Sequence, residues 1–162
     1  MWDALASMGQ EYQRGADMYD LYGSLRTRAF RVLWLLEELG VPYRFVETAP
    51  RSDAARSLSP LGRVPILKDG EIVLTDSVAI MTYLSVKNGA FSAPAGTLAR
   101  AAQDAMTQYV VCDMDAVLWT SAKHSFVLPE ENRVPSVKST LAWEWSRAVE
   151  HLAGVLADRP YL

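Results

Sequence analysis

The sequence is poor in the residues that build metal sites and dithiol centres. It has one cysteine, Cys112, and two histidines, His124 and His151, in 162 residues. A lone cysteine cannot form an internal disulfide, and the chain has no Cys-x-x-Cys pair and no Cys/His cluster. Asp113 and Asp115 do not form a metal site either, because carboxylates two residues apart on a helix point to different faces. We therefore expect neither a metal nor a dithiol redox centre.

The sequence also lacks basic blocks and long apolar runs. Its net charge is −3 and it has no basic block, so the sequence lacks the positive charge that nucleic-acid binding needs. No apolar run approaches the ~18 residues of a membrane-spanning helix, and the N-terminus lacks an apolar signal core. Half of the residues are hydrophobic, in a chain long enough for one large domain or two small ones. These bounds predict a cytoplasmic globular protein.

The chain from residue 18 to residue 89 alternates between strand and helix patterns, after an N-terminal extension (1–17) with weak periodicity. Met18–Tyr22 and Tyr43–Thr48 read as strands. Apolar residues at 29, 32, 33, 36 and 39 predict a helix between them, which implies parallel strands. A short helix within 49–61 follows. Strands at Val64–Lys68 and Glu71–Leu74, with a turn at Asp69-Gly70, predict a hairpin. A helix to about residue 87 completes a thioredoxin-like α/β domain over 18–89.

The rest of the chain is predicted to be helical. Residues 90–96 read as a linker, and 97–162 as a partial all-α domain of two long antiparallel helices, Thr97–Lys123 and Ser136–Ala157. A loop over 126–134 joins them. The apolar positions predicted to share a face are 98, 102, 105, 109, 112 and 118 in the first helix, and 141, 145, 148, 152 and 156 in the second. Cys112 is thereby predicted to be a small core residue.

Two short motifs carry binding chemistry. At Val64-Pro65 a strand begins at a proline, where a cis bond costs only ~1 kcal/mol and would turn the N–H and C=O of Val64 out of the ladder. Asp76-Ser77 opens a helix, where free N–H groups and the dipole favour an anion. A backbone edge beside a carboxylate pocket suits a small peptide such as glutathione. The alternative is an ordinary proline at a strand start and an ordinary Asp or Ser helix cap.

These motifs give the chain a resemblance to the cytosolic glutathione S-transferase superfamily, of bacterial type. The resemblance implies a transferase that conjugates glutathione, as co-substrate, to small electrophiles. It also implies a role in detoxification and a homodimer, with no metal, nucleic acid or membrane as a partner. The residues that carry it are Leu21-Tyr22-Gly23, Arg31 to Tyr43, Ser59 to Leu67, and Thr75 to Ile80 with Tyr83-Leu84.

The resemblance also implies roles for single residues. Pro65 matches the cis-proline of the family, and Val64 the backbone partner of the cysteinyl part of glutathione. Ser77 matches the residue that binds the γ-glutamyl carboxylate, and Asp76 its acidic neighbour near the γ-glutamyl amine. Arg63 matches a polar position near the glycyl end of glutathione, for which a solvated charge is the alternative interpretation.

The catalytic position departs from the family pattern of Tyr, Ser or Cys. Alignment places Thr27 or Arg26 there, and we take Thr27 as the catalytic residue. Its hydroxyl could donate to the sulfur, and a helix N-terminus near Arg26 and Arg28 would favour the thiolate. Arg26 is counted with the glutathione-binding residues. The alternative for Thr27 is a helix cap, and Ser24 and Tyr22 are weaker catalytic candidates.

A second departure is the end of the chain at Leu162, before several helices that family members usually carry. We expect either a fragment or a protein that does not need them. The missing catalytic Ser, Cys or Tyr and the early end favour an alternative function, a non-catalytic dimerisation or interaction module. Glutathione-dependent reduction of peroxides or disulfides is a third hypothesis, and it needs a cysteine in the catalytic loop.

Overall fold

The computed structural model describes residues 18–161, and the chain divides into two compact units after Ser92. This division falls inside the segment predicted as a linker. No helix within residues 18–161 is both long and apolar enough to cross a membrane.

The first unit contains a four-stranded mixed sheet in the order β2-β1-β3-β4. Strands β1 and β2 are parallel, whereas the pairs β1–β3 and β3–β4 are antiparallel. This confirms the predicted thioredoxin-like layout. Strand β3 begins two residues later than predicted, because Pro65 has no N–H to give to the ladder. The strand bounds are Tyr19–Gly23 (β1), Tyr43–Glu47 (β2), Ile66–Asp69 (β3) and Ile72–Thr75 (β4).

Three helices connect or follow these strands. They are α1 (Ala29–Leu39), α2 (Asp53–Leu58) and α3 (Ser77–Lys87). Helix α1 ends where predicted, at Gly40, which has φ +63° and donates its N–H to Glu37 O at 3.1 Å. Glycine adopts this left-handed conformation without the steric cost that a side chain brings.

The core of the first unit lies between one face of the sheet and helices α1 and α3. Strand β1 alternates, with Tyr19 and Leu21 buried and Tyr22 half-buried. Full burial of one aliphatic side chain stabilises the fold by roughly 1.5–3 kcal/mol. The residues that form this cluster are Tyr19, Leu21, Val32, Leu36, Leu67, Ile80 and Leu84.

The second unit is an antiparallel pair of long helical rods. The first rod is α4 (Leu98–Tyr109), a π-helical segment (Val110–Asp115), α5 (Ala116–Ala122) and a second π-helical segment (Lys123–Val127). A 3₁₀ turn at Glu130–Asn132 leads to α6, which spans Val137–Leu156. The Tyr109 hydroxyl donates to Ala148 O at 2.8 Å, and Val134 N–H donates to His124 Nδ1 at 3.0 Å. The first bond joins the middle of each rod, and the second lies at the connecting segment, as expected for an antiparallel pair.

The prediction for the first rod was wrong in two respects. Its helical conformation extends to Val127 instead of ending near Lys123, and its predicted apolar face is not buried. Leu98 is 90% exposed, and Cys112 is exposed rather than part of a core. A π-helical turn holds extra residues, so positions after Tyr109, such as Cys112, rotate out of an α-helical register, whereas Leu98 lies before this turn and its exposure is not explained by it. On α6 the predicted stripe is confirmed, since Leu141 and Ala148 are buried.

Candidate functional site

Three segments meet at one edge of the sheet. Ile66, the first residue of β3, pairs with Tyr22 of β1 on one side and with Thr75 of β4 on the other. The next residue of each segment is therefore Gly23, Pro65 or Asp76, and strand neighbours lie about 5 Å apart. The fold thus brings together the loop after β1, the Val64-Pro65 pair and the start of α3, which the sequence analysis had singled out separately.

The Val64–Pro65 peptide bond is cis, as predicted. Pro65 is buried and Val64 is half-buried. Among residues 18–161, no backbone hydrogen bond uses the N–H or the C=O of Val64. A donor and an acceptor on the same residue can therefore pair with the backbone of an extended peptide.

Helix α3 begins with Asp76, whose φ of +72° is unusual for a residue with a side chain. Its Oδ1 accepts from Val78 N–H at 2.9 Å and from Ala79 N–H at 3.1 Å. Asp76, rather than Ser77, is thus the helix cap. Ser77 is only 3% exposed, and its N–H and hydroxyl have no hydrogen-bond partner within the described residues. Two donors therefore remain available at the positive end of the helix.

The Thr27 hydroxyl lies at the start of α1 and makes three local hydrogen bonds. It donates to Ser24 O at 2.8 Å, and it accepts from Ala29 N–H at 3.2 Å and from Ser24 N–H at 3.4 Å. The hydroxyl thus satisfies a free N–H at the start of the helix, as the alternative interpretation of Thr27 expects, although the cap position of α1 is Arg28. Ser24 O also accepts the N–H of Thr27 at 3.0 Å. The carbonyl would therefore stay hydrogen-bonded if the hydroxyl turned toward another acceptor.

The other residues predicted for the site differ in their surroundings. Arg26, in the loop after β1, and Arg63, directly before Val64, are both exposed. Tyr22 alternates with the buried Leu21 along β1 and so lies on the sheet face opposite the core, as does Asp20. Arg44 binds Asp20 through Nε at 2.8 Å and Nη2 at 2.7 Å.

Two glycines make close contacts that were not predicted from the sequence. A Cβ on Gly23 would lie 2.3 Å from the Cβ of Ala29, so the start of α1 packs directly on the backbone of β1. A Cβ on Gly62 would lie 3.1 Å from the Cα of Arg51, whose φ is +64° and whose N–H donates to Gly62 O at 2.7 Å. Gly62 thereby holds Arg51 beside the segment that carries Arg63. The glycines themselves were the only sequence signal for these contacts.

A buried charged cluster lies at the opposite end of β3. Asp69 is 1% exposed and accepts hydrogen bonds from the Tyr83 hydroxyl at 2.5 Å and from Lys87 Nζ. Burial and the bond to Asp69 raise the pKa of Tyr83 to about 12. Burial alone would lower the pKa of Lys87, but hydrogen bonds to Asp69 and Tyr83 outweigh it and raise that pKa. The cluster ties the end of β3 to the end of α3, away from Val64 and Ser77.

Metal-binding residues do not cluster in the described part of the chain. Residues 18–161 contain no group of three or more His, Cys, Asp or Glu side chains placed to hold a metal ion.

Comparison with known proteins identifies the same segment. A family model described as "Glutathione S-transferase, N-terminal domain" matches residues 27–86. A putative glutathione S-transferase alpha-2 of Dictyostelium discoideum is 43% identical over 54 residues, which cover 33% of this chain and 27% of that protein. Glutathione S-transferase 3 of Schizosaccharomyces pombe is 38% identical over 77 residues, 44% of this chain and 31% of that protein. The matched segment thus spans less than a third of either relative.

Solved structures extend the likeness in fold to the helical unit. A theta class glutathione S-transferase from Xanthomonas axonopodis pv. citri with glutathione bound has a TM-score of 0.72 at 25% identity, over 87% of this chain and 71% of that one. A glutathione transferase from Phanerochaete chrysosporium with oxidized glutathione has a TM-score of 0.78 at 20% identity, over 92% and 71%. The bacterial type stays a prediction. Residues 27–86 thus match the N-terminal domain of glutathione S-transferases, and the chain shares the fold of the solved glutathione S-transferases.

Proposed function

We propose that this protein binds glutathione at the sheet edge and adds its thiolate to a small electrophile. One observation carries the proposal. The backbone of Val64 and the donors of Ser77 have no hydrogen-bond partner in the described residues, and they flank the same edge. A peptide with a free carboxylate matches both features. The names of the relatives and the ligands of the structural neighbours support glutathione as that peptide.

The proposed contacts follow from the donors and acceptors at the edge. The cysteinyl backbone of glutathione pairs with the N–H and C=O of Val64, beside the cis Pro65. The γ-glutamyl carboxylate accepts from the Ser77 N–H and hydroxyl, where the helix dipole adds to the attraction. Oδ1 of Asp76 is used by the helix cap, so Oδ2 faces the γ-glutamyl ammonium. Arg63 and Arg26 attract the glycyl carboxylate from the exposed rim.

Thr27 is the proposed thiol activator. Its hydroxyl turns from Ser24 O to the sulfur, and Ser24 O keeps the N–H of Thr27 as its donor. The N-terminus of α1 and the charge of Arg28 favour the thiolate over the thiol. The thiol proton leaves to solvent. The thiolate electron pair forms the new S–C bond, and the bond from that carbon to its leaving group, such as a halide, breaks, so that the leaving group departs to solvent with the bonding electrons. Because a free thiol has a pKa of about 8.5, any lowering raises the reactive fraction at pH 7.

Substitution of Ser77 tests the carboxylate assignment. Ser77→Ala removes a hydrogen bond to a charged group and should weaken glutathione binding by roughly 2 kcal/mol, or about 30-fold. Titration calorimetry measures this directly. Ser85→Ala is the matched control, because Ser85 is also buried but lies near the other end of α3. Equal affinities for wild type and Ser77→Ala would remove the assignment.

A second candidate function is a non-catalytic dimerisation or interaction module. The use of the Thr27 hydroxyl as a helix cap favours it, because a capping hydroxyl is not needed for catalysis. Immobilised glutathione separates the two candidates, since only a glutathione-binding protein is retained and then released by free glutathione. We propose a homodimer in either case, which sedimentation can test. The reduction of peroxides or disulfides is not proposed, because the loop after β1 contains no cysteine.

A further inference from the structure

Gly23 lies where four segments of the first unit meet. It ends β1, and its C=O accepts from Thr48 N–H, just after β2, at 2.8 Å. A Cβ at Gly23 would be 2.3 Å from the Cβ of Ala29, at the start of α1. The same Cβ would be 3.6 Å from the Cβ of Val64. One buried backbone position therefore contacts both sides of the proposed thiol site.

Space, rather than backbone conformation, is the reason for a glycine here. Gly23 is not among the glycines with positive φ. Non-bonded carbon atoms prefer a separation of about 3.5–4.0 Å, so a methyl group 2.3 Å from the Cβ of Ala29 would force the two segments apart by more than about 1 Å. A Cβ is fixed to its backbone and cannot rotate away. The displacement must therefore be taken up by the backbone of β1 or of α1.

We propose that Gly23 is a positioning residue, which sets the separation between the first turn of α1 and the Val64 backbone. Thr27 would move with that turn, because its hydroxyl is bonded to Ala29 N–H at 3.2 Å. A larger residue at 23 displaces the hydroxyl from the sulfur while the Ser77 site on α3 stays in place. This inference rests on the proposed function, and it adds that the position of the Thr27 hydroxyl depends on the missing side chain of the last residue of β1.

Three variants test the inference: Gly23→Ala, the double variant Gly23→Ala/Ala29→Gly, and Ala29→Gly alone as a control. Glutathione affinity is measured by calorimetry, the ionisation of the bound thiol by its thiolate absorbance, and kcat/KM with a chlorodinitrobenzene. Misplacement of a reacting group by ~1 Å can cost about 100-fold in rate. We expect Gly23→Ala to lose about 10- to 100-fold in kcat/KM and to raise the pH at which the bound thiol ionises, with a much smaller change in glutathione affinity.

The double variant removes the clash by moving the methyl group from one side of the contact to the other. It should recover most of the rate and the wild-type thiol titration, and Ala29→Gly alone should resemble wild type in both. If Gly23→Ala fails to fold, the double variant still tests the inference, because it must then fold and show the wild-type titration of the bound thiol. A folded Gly23→Ala with the wild-type titration, or a double variant without recovery, overturns the positioning role. Failure of the wild-type protein to bind glutathione would instead overturn the proposed function.

Discussion

Replacing Asp69 with alanine would remove the central acceptor of the buried cluster at the end of β3. The carboxylate is 1% exposed and receives the Tyr83 hydroxyl and the Lys87 ammonium. Loss of one member of a fully buried ion pair costs about 3–5 kcal/mol, because the other charge stays without its partner. The Lys87 side chain is 31% exposed, so water compensates for part of that loss. We therefore expect Asp69→Ala to destabilise the first unit by about 2–3 kcal/mol.

Two further variants separate the parts of this cost. Tyr83→Phe removes one hydrogen bond to a charged group and should cost about 1.5 kcal/mol. Lys87→Met keeps most of the side-chain volume but leaves the Asp69 carboxylate buried without its cation, so it should cost about as much as Asp69→Ala. Asp104→Ala is the control. It breaks the Arg100–Asp104 contact at 2.8 Å, where the acid is 54% exposed, and pairs of this kind contribute less than about 1 kcal/mol.

Hydrogen exchange read by mass spectrometry is the assay, because it resolves β3 and α3 from the helical unit. Amides that exchange only on opening of the first unit report its free energy directly. Urea denaturation should show a matching shift of about 1–1.5 M for a slope near 2 kcal/mol/M. If Asp69→Ala lowers the opening free energy of the first unit by no more than Asp104→Ala lowers that of the helical unit, the cluster contributes no more than a surface pair, and the reasoning is refuted.

The same cluster predicts a loss of stability in alkali. Tyr83 has its pKa raised from 10.0 to about 12, and the pKa of Lys87 is also raised. A raised pKa means that the folded protein holds these protons more tightly than the unfolded chain does. The stabilisation is complete below pH 10 and is lost as the pH rises through the folded-state values. We expect the opening free energy of wild type to fall above pH 10 and that of Tyr83→Phe to fall less steeply.

Three other predictions concern the site and the core. Thr27→Val keeps the side-chain shape but removes the hydroxyl, so it should lower the conjugation rate and raise the pH at which bound glutathione forms its thiolate. If the thiolate absorbance titration does not shift, the role of Thr27 is restricted to helix capping. Arg63→Ala should weaken glutathione binding less than Ser77→Ala does, since the arginine is exposed and screened, and calorimetry at two salt concentrations checks this. Leu21→Ala, at a fully buried position in β1, should cost about 2–5 kcal/mol by urea denaturation, and a loss below 1 kcal/mol would contradict the assigned core.

Local patterns in the sequence were sufficient to predict the first unit because each signal agreed with its neighbours. Alternation in β1, helical spacing at Ala29, Val32 and Leu36, and the stop at Gly40 all specify the same elements. Agreement between local and global preferences is what makes such a segment predictable. The prediction for the first helical rod failed for the opposite reason. Its π-helical segments change the number of residues per helical turn partway along the rod. The residue types in Val110–Asp115 gave no signal of that change.

The residues missed in the sequence are those whose role depends on contacts distant along the chain. Asp69 was predicted as a turn residue from the pair Asp69-Gly70, but it ends β3 and pairs with Ile72, so the turn residues are Gly70 and Glu71. The burial of the Asp69 carboxylate comes from Tyr83 and Lys87, which are 14 and 18 residues away. Val64 and Ser77 could be found because a proline and a helix start mark them locally. Gly23 has no such local signal. It matters because Ala29 leaves no room for a side chain at position 23. Binding groups are therefore easier to predict from sequence than the packing that sets the distance between them.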